Sequence, residues 1–254
     1  MNHRLRTTMM LVATVATGLG HAAEKRDPAA VAVAQHTLEA MGGAKSFEAL
    51  RTLRFDFVVE REGKEMARIR HVWDRWDGRY RVEGRNKEGK PTLTLFNVQK
   101  RGEGRAWVDG KELAGEELKA ALERGYGRFI NDTYWLLMPA KMLDPGVSLA
   151  SEGTTTVDGK TYDVVKLTFD GVGMTPQDTY WAYVSKDTGL MERWDMVLTG
   201  QDAKDRSTFM WEDWRPIGAV RLSMAKRAVA DGTVIRFDNV SGSTDADASS
   251  FAAP

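Results

Sequence analysis

The chain has 254 residues, no cysteine, and 36 basic against 36 acidic residues. That balance argues against a nucleic-acid partner, which asks for a clustered basic face. The missing cysteine excludes a disulfide framework and a lipid-anchored cysteine at a processed N-terminus.

Arg4 and Arg6 precede a short apolar run over residues 9–18, and Gly20-His21-Ala22 supplies small residues after it. This is the grammar of a secretory signal, with cleavage expected after Ala22 and an apolar centre too short to cross a bilayer. Residues 1–22 are therefore read as leader and 23–254 as one domain, a size common among all-β domains. Losing the leader removes two basic residues and no acidic one, so the mature chain carries a net charge near −2. The expected destination is the periplasm of a Gram-negative bacterium.

Asp27-Pro28 is a helix start, with Asp27 able to cap free amides and Pro28 sitting where its missing donor costs nothing. Val31, Ala34, Leu38 and Met41 form the apolar stripe, and Gly42-Gly43 ends the helix. A short helical turn is expected around residues 46–50. From Leu53 the period changes to two. Leu53, Phe55, Phe57 and Val59 share one face, and after Glu62-Gly63-Lys64 the next strand turns Ala67, Ile69, His71 and Trp73 inward. Tyr80 and Val82, then Leu93, Leu95 and Phe96, then Trp107 belong to further strands. The meander resumes after Pro145-Gly146 and continues to Val240, giving about eleven antiparallel strands. An antiparallel sheet of that size curls or splits. The tail over residues 241–254 is small and polar except for Phe251, and reads as mostly mobile, with Phe251 able to pack on the sheet edge.

Residues 128–146 interrupt the strands. Phe129, Ile130, Tyr134, Leu137, Met138 and Met142 recur at three-to-four spacing, and Trp135 and Leu136 widen the stripe. Asn131-Asp132-Thr133 favours caps and turns, so one helix is expected to end near Arg128 and a second to start from this cluster and stop at Pro139. The result is a bent apolar lid over the sheet. Eight tryptophans, and nine of the twelve methionines, follow the leader. Phe55, Phe57, Trp73, Trp107, Trp194, Met196, Phe209 and Trp211 are read as inward-facing walls, and Phe129, Trp135, Met138 and Met142 as the lid side of a ligand-binding interior. Met224 also points inward. A thioether and aromatic lining adapts to irregular apolar guests.

The leader, the first helix ending in Gly-Gly, the strand count and the central Ile-Asn-Asp-Thr-Tyr-Trp-Leu-Leu-Met-Pro segment running into Leu-Asp-Pro-Gly together resemble periplasmic proteins of the outer-membrane lipoprotein carrier superfamily. The resemblance implies an incomplete β-barrel with a helical lid. It also implies a non-enzymatic carrier of acyl chains, from lipids or lipid-modified proteins, that makes transient contact with a membrane or a membrane protein. The carriers hold the empty form shut with a buried arginine, and no one arginine of this chain matches it. An envelope scaffold or assembly factor, with a solid interior and a protein partner, is the alternative.

Catalytic and metal readings fare worse, and no cofactor is expected. Asp187-Thr188-Gly189 spells an aspartic-protease triplet, but that chemistry needs two carboxylates and there is no second copy, so it reads as a hairpin turn. His36 and His71 lack metal-ligand spacing. Asp74 with Asp77, and Glu212 with Asp213, are explained by turn and strand-end positions rather than as a glycosidase pair.

Overall fold

The computed structural model describes residues 25–202 and 204–254, so the expected leader lies outside the described residues. Helix α1 (Pro28–Ala40) starts where Asp27 Oδ1 accepts the Ala29 N–H at 2.8 Å. It stops at Gly42, whose φ is 116° and where a Cβ would stand 2.3 Å from the Ala219 carbonyl oxygen. Both the backbone angle and the close approach require glycine. The buried stripe is Ala30, Ala34, Thr37 and Met41, so Val31 and Leu38 sit at its half-buried margins rather than at its centre. Helix α2 (Gly43–Ala49) follows directly.

Thirteen strands form one antiparallel sheet: β1 (Thr52–Arg61), β2 (Lys64–Asp74), β3 (Arg79–Arg85), β4 (Pro91–Asn97), β5 (Gly104–Val108), β6 (Lys111–Glu112), β7 (Val147–Val157), β8 (Lys160–Phe169), β9 (Thr179–Ser185), β10 (Met191–Val197), β11 (Ser207–Ile217), β12 (Val220–Ala228) and β13 (Val234–Ser243). The spatial order is β6-β5-β4-β3-β2-β1-β13-β12-β11-β10-β9-β8-β7, with β6 and β7 at the edges and no closure between them. The architecture is the mainly β, incomplete barrel anticipated. The count exceeds eleven in part because β6 is two residues long and leaves no alternation to read.

Helix α3 (Gly115–Leu137) runs unbroken for 23 residues, about 34 Å at 1.5 Å per residue. The break expected at Asn131-Asp132-Thr133 does not occur. Thr133 Oγ1 donates back to the Phe129 carbonyl at 2.6 Å, and Asp132 turns onto the sheet. Polar side chains that compete with a helix in isolation are here occupied within it or across it. Pro139 falls in the 3-10 turn Met138–Lys141 that follows.

Residues paired directly across antiparallel strands share a face. The series Leu53–Trp73–Tyr80–Phe96 and the series Met196–Tyr180–Leu167–Leu149 both lie on the face that the helices cover. Helix α3 lies over β3, β4 and β5 and reaches β12, while α1 packs on β7 and β8. Two apolar clusters result, one on each half of the sheet, and Trp135, Phe209 and Trp214 belong to the margins of both. The opposite face is an arginine–carboxylate lattice in which Arg68 meets Asp56, Glu65 and Asp238. The tail belongs to that face rather than to an edge. Arg54 pairs with Asp247, Arg81 donates to the Ser250 and Ala252 carbonyls, and Arg79 lies 4.9 Å from the Phe251 ring.

Candidate functional site

Eleven of the twelve residues expected to line the interior meet on the covered face or on the helical segment above it. Phe129 of α3 sets its ring edge-on to Trp73 at 5.1 Å and to Tyr80 at 5.0 Å. Trp135 does the same to Trp194 at 4.7 Å and Phe209 at 4.8 Å, and Trp194 meets Trp211 at 5.9 Å. Phe55 and Phe57 both pack on Phe237. Met138, Met142 and Met196 are buried in the second cluster. The helix is thus shut on interlocked rings.

Trp107 is the exception. It pairs with Leu93, and that row continues through Glu83, Arg70 and Asp56, all on the face away from the helices. There the Arg105 guanidinium stacks 4.7 Å above its ring. A hydrophobic residue in a short strand fixes no face by itself. Gly104, Ala106 and Val108 are the residues of β5 that look inward, and the first two are small because α3 lies close: a Cβ on Gly104 would stand 2.6 Å from Leu122 Cδ2.

Polar groups also enter this interior. His71 Nδ1 and the Tyr80 hydroxyl are 2.8 Å apart, and His71 Nε2 stands 3.0 Å from Asp132 Oδ2 with both side chains fully buried. The Nε2–Oδ2 contact is a close approach rather than an in-line hydrogen bond, because neither atom completes a bond of good geometry. Phe55 stacks on the imidazole at 4.5 Å. Asp132 Oδ1 accepts from Asn131 Nδ2 at 2.8 Å and faces Arg128 at the rim, 3.6 Å away. This dyad is a polar contact between α3 and the floor. Its members stand 61 positions apart in sequence, and only an alternation that put His71 inward offered a signal.

Burial pushes the His71 imidazole below its ordinary value of 6.5, against the opposing pull of Asp132, and pushes the Tyr80 phenol well up. The folded state therefore binds fewer protons at His71 than the unfolded chain does. The resulting stability is fully present above about pH 6.5 and is lost as pH falls through the depressed folded value. The melting temperature is expected to drop between pH 7 and pH 5, and the slope to flatten in His71→Asn. Asp74, held down to about 2, titrates well below that window.

Four indole N–H groups, those of Trp73, Trp194, Trp211 and Trp214, are buried without an acceptor from the described residues. On β12 the Lys226 side chain is wholly buried, between the Trp211 ring at 4.5 Å and the Phe237 ring at 4.2 Å. Its ammonium donates to the Ser223 carbonyl at 2.6 Å.

The discounted motifs resolve structurally. Asp187-Thr188-Gly189 is a tight turn closed by Ser185 N–H to the Leu190 carbonyl. Asp74 accepts from Arg51, Arg79 and the Trp76 and Asp77 amides, which holds the β2–β3 turn. Glu212 and Asp213 pair with Arg227 and Arg215 near the surface. Among the described residues no three His, Asp or Glu side chains group as metal ligands, and no helix is long and apolar enough to cross a membrane.

No protein-family model and no curated protein matches the chain. Solved structures do. A LolA superfamily protein from Nitrosomonas europaea is 11% identical, with 88% of this chain and 97% of that one covered, at a TM-score of 0.50. A DUF1329 family protein from Desulfovibrio piger is 16% identical over 88% and 97%, at a TM-score of 0.49. At the level of fold the expectation raised by the central segment holds: an open antiparallel sheet with a helix across one face is LolA-like.

Proposed function

We propose that this chain is a periplasmic, non-enzymatic binding or carrier protein for an apolar ligand, the acyl chains of a lipid or of a lipidated protein, held between the sheet and α3. Residues 1–22 serve as its leader and 23–254 as its binding domain. Phe55, Phe57, Trp73, Trp194, Met196, Phe209 and Trp211 form the floor. Phe129, Trp135, Met138 and Met142 form the underside of the lid. In the closed arrangement these side chains fill the volume that the ligand takes when the helix lifts.

The observation that carries this reading is the set of buried indole donors left without acceptors beneath the helix. A finished core pairs nearly all of its polar atoms, and each unpaired donor costs about 1–3 kcal/mol. Ester or amide oxygens at the head of an acylated ligand would supply the missing acceptors. Burial of one long chain contributes on the order of 10 kcal/mol, at roughly 0.8 kcal/mol per methylene. The interlocked rings favour the second reading, a scaffold with a solid interior, but such a core has no use for unpaired donors or a buried dyad.

The test is uptake of a fluorescent acyl probe by the delipidated mature protein, read by probe emission and by quenching of tryptophan fluorescence. Saturable binding is expected, with Trp135→Ala altering its affinity. A folded protein that takes up no acyl probe and carries no lipid when purified from its own host overturns the proposal.

A further inference from the structure

Within the sheet, β12 and β13 pair over only three residues, Ala225 with Arg236, Lys226 with Ile235 and Arg227 with Val234. Beyond them β13 stays with β1 while β12 stays with β11, so the sheet splits. The split opens a depression of about 600 Å³ walled by Ile217, Met224, Phe237 and Val240, with Arg68, Arg215, Asn239 and the Arg68-paired Asp238 completing its lining. That volume is within the range of about 300–1,000 Å³ usual for small-molecule sites.

Behind this wall stands Lys226. Met224 lies two residues before it on the same face of β12, and Phe237, which lines the depression, is 4.2 Å from its nitrogen. A single ring separates the amine from an open cleft whose apolar wall is flanked by charged and amide side chains. The buried carboxylates of the described residues all have cationic or hydroxyl partners: Asp56 has Arg68, Asp74 has Arg51 and Arg79, Asp132 has Arg128, Asp178 has Thr175 and Tyr180, and Asp195 has Arg193. Among the described residues Lys226 has a carbonyl and two aromatic faces, and no carboxylate. Burial alone drives its ordinary value well down, which is the signature of a cation with no counter-charge.

We infer that the β12–β13 cleft binds an amphiphile with a single carboxylate head, a long-chain fatty acid, whose carboxylate displaces the Phe237 ring and pairs with Lys226 while its alkyl chain lies along Ile217, Met224 and Val240. The inference adds a site in the split of the sheet to the one proposed beneath α3, and rests on that proposal for the acyl character of the ligand. The incoming carboxylate supplies the charge that the fold withholds. The Lys226 amine and the Trp211 face remain in place to receive it.

Binding of palmitate, the alcohol of equal length and the methyl ester to the mature protein, measured by calorimetry, tests the inference. The acid is expected to bind at least about tenfold tighter than the other two, the scale of one charge-assisted hydrogen bond. Lys226→Met should erase that preference while leaving the alcohol unchanged. A buried amine exchanged for a thioether of similar length keeps the fold intact, and Val240→Trp, which fills the cleft from its outer wall, gives an independent loss of palmitate binding. Equal binding of acid and alcohol by the wild type, or an undiminished preference in Lys226→Met, overturns the anchor and leaves the binding function standing. Failure of all three amphiphiles to bind overturns both.

Discussion

A chain carrying Thr94→Cys and Gly125→Cys is expected to lose acyl-probe exchange when oxidised and to regain it in reducing agent. An ideal Cβ on Gly125 of α3 stands 3.5 Å from the Cβ of Thr94 on β4, at the short end of disulfide spacing. The chain has no other cysteine to compete. A bond there ties the middle of the helix to the floor. A cross-link contributes about 2–4 kcal/mol to the state it joins, so exchange through a lifted helix should slow about thirtyfold or more. Phe96 Cε1, 3.2 Å from the new Cβ, must shift slightly, and the reduced form controls for that. Oxidised protein, its cross-link verified by mass, that exchanges probe as fast as the reduced form would show that ligand does not pass beneath α3.

The second large effect concerns the buried dyad. His71→Ala empties the space of a buried ring and leaves the buried Asp132 carboxylate with only Asn131 and Arg128, and should lower the unfolding free energy by about 2–5 kcal/mol. The combination Tyr80→Phe, His71→Leu and Asp132→Leu removes all three polar members at once. Replacing a buried ionic group by apolar residues of similar volume is often neutral or stabilising by about 1–4 kcal/mol. The triple variant is therefore expected to melt at or above the wild-type temperature and to release bound probe more slowly, because a helix held only by oil-like contacts has nothing to gain from water when it lifts. Denaturant titration and stopped-flow release measure the two halves of this prediction. A triple variant as unstable as His71→Ala would mean that the dyad is structural and plays no part in opening.

The sheet and its covered face were legible because alternation is a local property, visible in Leu53–Phe55–Phe57 or in Ile69–His71–Trp73 without knowledge of the partner strand. The helix cap at Asp27 was legible for the same reason. The continuity of α3 was not. Asn131-Asp132-Thr133 reads as a break until the imidazole that receives Asp132 is known, and that imidazole arrives from β2. Trp107 was placed on the wrong face because a five-residue strand with glycine and alanine on its inner side shows its bulk outward. Lys226 was invisible: a lysine alternating with apolar neighbours is ordinarily at the surface, and only the rings of Trp211 and Phe237 closing over it reverse that rule.

The strand order carries a consequence for biogenesis. Two meanders, β1 to β6 and β7 to β12, each zip up from neighbours in sequence, but they join only through β13, which lies between β1 and β12. The last strand to leave a ribosome or a translocon is thus the keystone that seals the first. Until residues 234–243 arrive, both halves present a bare hydrogen-bonding edge, and contacts so distant along the chain form slowly. Closure of the sheet therefore waits for β13, so a chain cut before residue 234 is left with two unjoined meanders, each with an open strand edge.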